Sequence, residues 1–129
     1  MDKKRTKIIL VEDDKFLSRM YKTKLEMEGF EVHTAFDGKV GLAMIQKELP
    51  DVLLLDIILP ELEGWDIIKQ MKKDPATKDI PIIVLSNLGS DEDVAKAKLY
   101  GVKDYLVKAH FIPREVIAKI KKILNKKES

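Results

Sequence analysis

The 129-residue chain has no cysteine. Disulfides, thiolate metal sites and cysteine nucleophiles are therefore excluded at once, and an intracellular home is compatible with the composition. A surplus of charge is missing too: 24 basic residues stand against 22 acidic ones, a formal net charge of +2, with the two signs interspersed. So close a balance argues against nucleic-acid binding by bulk charge. Nor is there a long hydrophobic run. The basic start Met1-Asp2-Lys3-Lys4-Arg5 is followed by an apolar run of strand length, Ile8 to Val11, that meets three acids, which suits neither a signal peptide nor a membrane span. No repeat or low-complexity segment interrupts the chain.

What is there suits one compact domain over residues 1–129: the chain is 45% hydrophobic and long enough for a full core. Its 36% charged content, rich in Lys and Glu, fits solvated helix faces as simply as it fits a hot habitat. Val52-Leu53-Leu54-Leu55, bounded by Pro50 and Pro60, has the pattern of a strand buried on both faces of a parallel sheet. Asp56 follows directly, at the carboxyl end where open α/β sheets keep their chemistry. Ile8-Ile9-Leu10-Val11 repeats the arrangement and runs into Glu12-Asp13-Asp14. Two strand ends are thus expected to aim carboxylates at one crevice.

In chain order, Lys7 to Val11 is the first strand, and Asp14 caps a helix carrying Phe16, Leu17, Met20, Tyr21 and Leu25 at helical spacing until Gly29. Glu31 to Phe36 alternates as a strand. Asp37-Gly38 is a turn signal, and the next helix offers Val40, Ala43 and Met44 to the core before Pro50. Beyond the strand ending at Asp56 come a loop through Pro60 and Gly64 and a helix with Ile67, Ile68 and Met71 on one side. Pro81 to Leu85 is another buried strand. Ser90-Asp91-Glu92-Asp93 has the form of a capping box, opening a helix whose apolar stripe, Val94 and Ala97, is thin and predicts loose anchoring. Val102 to Val107 is the last strand, and Val116, Ile117, Ile120, Ile123 and Leu124 give the closing helix a clean helical period. Its Lys121-Lys122 and Lys126-Lys127 suit the negative pole of the helix dipole.

Five strands alternating with five helices predict a doubly wound α/β fold, with a parallel sheet, right-handed crossovers and helices on both faces. The Rossmann order and the flavodoxin-like order 2-1-3-4-5 both satisfy the pattern. Acids after the first and third strands favour the second, in which those strands are neighbours at the switch point. Carboxylates converging there repel one another unless a cation sits between them. Hard oxygen ligands with no Cys and no nearby His suit a divalent ion such as Mg²⁺ or Mn²⁺. A carboxylate is also a competent nucleophile toward a phosphoryl group once the transferred charge is neutralised, because that reaction depends mainly on positioning and electrostatics.

Four motifs in order carry a specific resemblance: Val11-Glu12-Asp13-Asp14, Leu55-Asp56-Ile57-Ile58-Leu59-Pro60 with Gly64, Leu85-Ser86, and Tyr105-Leu106-Val107-Lys108. Together they resemble the receiver domain of two-component response regulators, over essentially the whole chain. The resemblance implies that Glu12 and Asp13 stand in the inner or outer shell of Mg²⁺, with Asp56 and the backbone carbonyl of Ile58 as direct ligands. It implies Asp56 as phosphoacceptor, Lys108 as cationic partner to a phosphoryl oxygen, Ser86 as hydroxyl donor, and Tyr105 as an aromatic that switches rotamer. The implied donor is a phosphohistidine on a sensor histidine kinase or histidine phosphotransfer protein, with small phosphodonors able to substitute. The implied output surface is the fourth helix, last strand and final helix, for an output protein or a phosphorylation-dependent homodimer. The setting is cytoplasmic, with no direct nucleic-acid contact, no membrane and no turnover of an external substrate.

Taken singly, the same residues have plainer roles: Asp13 or Asp14 as a helix cap, Asp56 as a turn opener, Ser86-Asn87 as a loop pair, Lys108 as a solvated lysine, Tyr105 as a fixed core aromatic. His33 and His110 show no ligand spacing and read as structural. Trp65, the only tryptophan, follows Gly64 near the expected site, so its fluorescence is expected to report metal or phosphoryl-analogue binding. Many receivers have proline after the lysine where this chain has Ala109. A cis bond before a non-proline costs about 2.5–4 kcal/mol, so a trans Lys108-Ala109 bond is expected. Ile58 and Leu88 are expected to screen a phosphoryl group from water, giving slow self-dephosphorylation.

Other classes fit less well. A hydrolase of the haloacid dehalogenase type needs an aspartate two residues beyond the nucleophile, where Ile58 stands. A flavodoxin-like electron carrier needs a phosphate-cradling loop where this chain has acids. A pseudo-receiver that binds without phosphorylation has no need of the intact acids. After the last helix only Asn125 to Ser129 remain, which reads as a stand-alone switch, although a piece of a longer regulator would look the same.

Overall fold

The computed structural model describes residues 5–128, with side chains through Asn125. The basic start Met1–Lys4 and the side chains of Lys126 and Lys127 lie outside the described residues. Strands β1 (Lys7–Val11), β2 (Glu31–Ala35), β3 (Val52–Leu55), β4 (Ile82–Ser86) and β5 (Asp104–Val107) alternate with helices α1 (Lys15–Met27), α2 (Gly38–Glu48), α3 (Gly64–Lys73), α4 (Asp91–Leu99) and α5 (Pro113–Glu128). All strand pairs are parallel and the order is β2-β1-β3-β4-β5, the flavodoxin-like arrangement.

The strand pattern explains the layers. Successive side chains on a strand point to opposite faces, so an unbroken apolar run supplies two cores. Ile8, Leu10, Val52, Leu54, Ile83 and Leu85 meet Tyr21 and Leu25 of α1 and Val116, Ile120 and Leu124 of α5. Ile9, Val11, Leu53, Leu55, Ile82 and Val84 meet Ile45 of α2, Ile67, Ile68 and Met71 of α3, and Ala97 of α4. Three helices open on side-chain caps: Asp14 Oδ1 accepts from the Leu17 amide at 3.0 Å, Asp37 Oδ1 from Val40 at 2.8 Å, and Ser90 Oγ from Asp93 at 3.1 Å.

Four details differ from the sequence reading. Phe16 does not join the α1 core face but is 82% exposed, because Ser18, Tyr21 and Leu25 occupy that face. On α2, Val40 and Ala43 are exposed while Gly41 and Ile45 are buried. A Cβ on Gly41 would fall 2.8 Å from a Val11 methyl, so the helix lies on the sheet through a residue with no side chain to count. Gly38 is the first residue of α2, with Asp37 as its cap, and Phe36 lies beyond β2. β5 starts at Asp104 rather than Val102. On α4, Ala97 is the one buried residue, as the thin stripe predicts.

Candidate functional site

β1 and β3 are adjacent with Val11 opposite Leu55, so the residues after them emerge side by side. The Asp56 amide donates to the Val11 carbonyl at 3.0 Å, which extends the ladder one step and fixes where the carboxylate begins. Glu12 is 2% exposed and Asp56 6%. Burying two carboxylates is costly unless each is paired and hydrogen-bonded. The Lys108 ammonium, delivered by the end of β5, meets both, lying 2.8 Å from Asp56 Oδ2 and 2.5 Å from Glu12 Oε1. Backbone donors complete the arrangement. Asp56 Oδ1 accepts from the Ile57 amide at 2.6 Å and the Ile58 amide at 3.3 Å, and Glu12 Oε2 accepts from the Asp14 amide at 3.1 Å.

The charges respond in opposite senses. Burial pushes the Glu12 carboxyl above its usual 4.5, with the Asp56 charge adding to the rise and Lys108 opposing it. Burial pulls the Lys108 ammonium down, but its bonds to Asp56 and Glu12 outweigh burial and hold it above the usual 10.5.

Asp13 is exposed at the mouth, and one carboxylate oxygen from each of Glu12, Asp13 and Asp56 lies within 4.8 Å of the others. These residues line a cavity of about 290 Å³ with Asp14, Ile58, Asn87 and Lys108. Three oxygen donors, one of them open to solvent, fit a hard divalent ion that keeps part of its water shell. The cavity thus gathers Glu12, Asp13, Asp56, Ile58 and Lys108. Asp14 and Asn87 were not expected to line it; the signal for Asn87 was its place directly after β4.

Ser86 stands apart from the cavity lining. It is fully buried, and its Oγ accepts from the Leu88 amide at 3.3 Å. The Tyr105 hydroxyl donates to the Leu88 carbonyl at 2.6 Å, so both residues hold the same loop residue. Burial, with the Asp93 and Asp56 charges adding, pushes the Tyr105 phenol up to about 12. Gly64 matters to the site for a steric reason. A Cβ there would stand 2.5 Å from the Asp56 carbonyl oxygen and 2.7 Å from Ile57 Cα, so only glycine lets α3 start this close to the Asp56 loop.

Two expectations change. Trp65 is not in the cavity lining: its ring is buried against Tyr100, centroids 6.2 Å apart, with Lys96 Nζ 4.6 Å from its centroid. His33, without ligand spacing along the chain, is brought by β2 and α2 into a group in which Glu31, His33 and Glu48 offer ligand atoms within 4.8 Å. A cation is already present there, since Lys7 Nζ lies 3.1 Å from Glu48 Oε1 and 3.9 Å from Glu31 Oε2. His110 is exposed in a 3₁₀ turn over Lys108–His110. The Lys108-Ala109 bond is trans, since no peptide bond among the described residues is cis.

A sheet of this order with acids at the ends of β1 and β3 and a lysine at the end of β5 defines a class, and the family model for the response regulator receiver domain matches residues 8–121. The chain belongs to that family, the receiver domains of two-component response regulators. It is 36% identical over 129 residues to the probable transcriptional regulator ycf27 of Cyanophora paradoxa, covering 100% of this chain and 52% of that one. The chain therefore spans about half the length of this relative. Among solved structures, the Francisella response regulator 1452 receiver domain has a TM-score of 0.86 at 34% identity, covering 97% of this chain and 100% of that one. A CheY-like receiver domain protein from Methanospirillum hungatei has a TM-score of 0.89 at 30% identity, covering 97% and 98%. Among the described residues no helix is long and apolar enough to cross a membrane.

Proposed function

We propose that residues 1–129 form one phosphoacceptor switch in which Asp56 takes a phosphoryl group from a phosphohistidine. The observation that carries this reading is the single ammonium of Lys108 held between the buried carboxylates of Asp56 and Glu12. In the transfer, a carboxylate oxygen of Asp56 bonds to phosphorus, the donor's P–N bond breaks, and the imidazole, already protonated on its other ring nitrogen, leaves as a neutral ring. The Ile57 and Ile58 amides orient the Asp56 carboxylate, and Lys108, released toward the incoming group, pairs with a phosphoryl oxygen. Glu12, Asp13, Asp56 and the Ile58 carbonyl would hold Mg²⁺ or Mn²⁺, which supplies neutralising charge for the transferred phosphoryl group.

The new charge is read through Ser86 and Tyr105. Ser86 gives up the Leu88 amide to donate to the phosphoryl group, the loop shifts, and Tyr105 loses its Leu88 carbonyl. The lightly anchored α4 follows, changing the face of α4, β5 and α5 that an output protein or a second copy would meet, by population shift. The donor is a sensor histidine kinase or histidine phosphotransfer protein in the cytoplasm. The chain turns over no external substrate and contacts no nucleic acid directly.

The test is incubation with acetyl phosphate and Mg²⁺ followed by intact mass. Wild type gains one phosphoryl group and Asp56→Ala gains none; equal gain in both overturns the assignment.

A further inference from the structure

Helices α1 and α5 share one face of the sheet, packing through Tyr21, Leu25, Val116 and Ile120 into a common core. On their outer side runs a groove of about 350 Å³. Its α5 wall is Arg114, Ile117, Ala118 and Lys121, and its α1 wall includes Lys24 and Met27. The α5 set has the spacing i, i+3, i+4, i+7, one continuous helix stripe. Met27 is 79% exposed, a large apolar side chain in a lining that also holds the cations Lys24, Arg114 and Lys121. Among the described residues Glu28 is the one acid in the lining, and it is already held across the groove by Lys121.

A lining that combines exposed apolar side chains with cations has a definite complement. We propose that this groove docks an acidic amphipathic helix of a partner protein, with apolar side chains on Met27, Ile117 and Ala118 and carboxylates facing Lys24 and Arg114. Helix-in-groove recognition uses anchors at this spacing, and complementary charge on the rims fixes which helix is accepted. The pairing of Lys121 with Glu28 closes one side, leaving Lys24 and Arg114 as the cations that choose the partner.

The groove shares α5 with the proposed output face but lies away from α4. α4 packs in the other core, on the opposite face of the sheet. Met27 ends α1, about 18 Å of helix beyond Lys15, at the rise of ~1.5 Å per residue. The groove lining shares no residue with the Asp56 cavity, so docking there needs no phosphoryl group on Asp56. The inference does not rest on the phosphoacceptor role of Asp56.

The experiment is an NMR titration of the ¹⁵N-labelled full chain with two synthetic helical peptides. One carries leucines at i, i+3, i+4 and i+7 among glutamates, and the other has lysine for every glutamate. The acidic peptide is expected to shift the amides around Met27 and Ile117 and to bind about tenfold or more tighter than the lysine peptide, a difference of ~1.4 kcal/mol. Met27→Asp and Arg114→Glu, both on exposed positions, should each weaken it by about tenfold while acetyl phosphate uptake shows the chain still folded. Asp56→Asn should bind as wild type does. Equal binding of both peptides, shifts centred on another face, or self-association of the chain through this groove in sedimentation would each overturn the proposal.

Discussion

Lys108 and Asp56, 52 positions apart, meet at 2.8 Å, and the same ammonium lies 2.5 Å from Glu12. The resting site therefore already holds a cation of the protein's own. A divalent ion must compete with it for the two buried acids. Lys108→Met removes that competitor and leaves the carboxylates unpaired, so the metal-free variant should lose about 3 kcal/mol of stability, the low end for breaking a buried pair. It should bind Mg²⁺ more tightly than wild type and yet take up phosphoryl groups more slowly. Urea unfolding with and without Mg²⁺ measures the first two, and equal Mg²⁺ affinity in both proteins would count against the competition.

Ile58 lines the acidic cavity and is 57% exposed, an apolar side chain beside the expected phosphoryl position. It offers no group to orient an attacking water, so loss of phosphate from Asp56 should be slow. Ile58→Asn should speed that loss by about tenfold, ~1.4 kcal/mol of barrier. The check is the decay of the phosphorylated form by intact mass after the donor is removed. An unchanged decay would show that Ile58 screens nothing.

Tyr105 predicts a pH dependence whose sign follows from its environment. Its phenol is pushed up to about 12 by burial first, and by Asp93 and Asp56 second. A raised folded value means that the neutral phenol is favoured by folding. Its stabilisation is fully present below the usual 10 and is lost as pH rises through about 12. The tyrosinate absorbance of wild type minus that of Tyr105→Phe should show one group ionising near the upper value, and the variant should lose less stability across that interval.

Trp65 is expected to report on α4, which its ring contacts. Lys96 of α4 lies over its ring, and Tyr100, the cap residue just after α4, packs against it. Beryllofluoride with Mg²⁺ should change its emission in wild type, and Lys96→Ala should alter the resting spectrum and reduce that change. A full response to Mg²⁺ alone, equal in Lys96→Ala, would place the quenching at the cavity instead.

The strands were legible because the runs at Ile8, Val52 and Ile82 are apolar without interruption, which only burial on both faces explains. Their order was not legible in those runs; it was chosen by the acids after the first and third strands, which suit the order that makes those strands neighbours. α2 was harder: its contact with β1 runs through Gly41, invisible to a pattern of apolar side chains, so Val40 and Ala43 stood in for Ile45. Phe16 has helical spacing but lies on the outer face, and spacing alone gives no angle for the stripe. The groups that depend on two distant elements were the least legible. Glu48 of α2 joins Glu31 and His33 of β2 only in the folded chain, as Lys24 and Met27 join Arg114 along the outer groove.

Borohydride trapping tests the central claim most directly, since it reduces an acyl phosphate to the alcohol and would turn a phosphorylated aspartate into homoserine at its own position. After treatment with acetyl phosphate and Mg²⁺, peptide mass spectrometry should find homoserine at position 56 and lose it when the metal is chelated. Homoserine at Asp13 or Asp14 instead, or none at all, would contradict the claim that Asp56 is the acceptor.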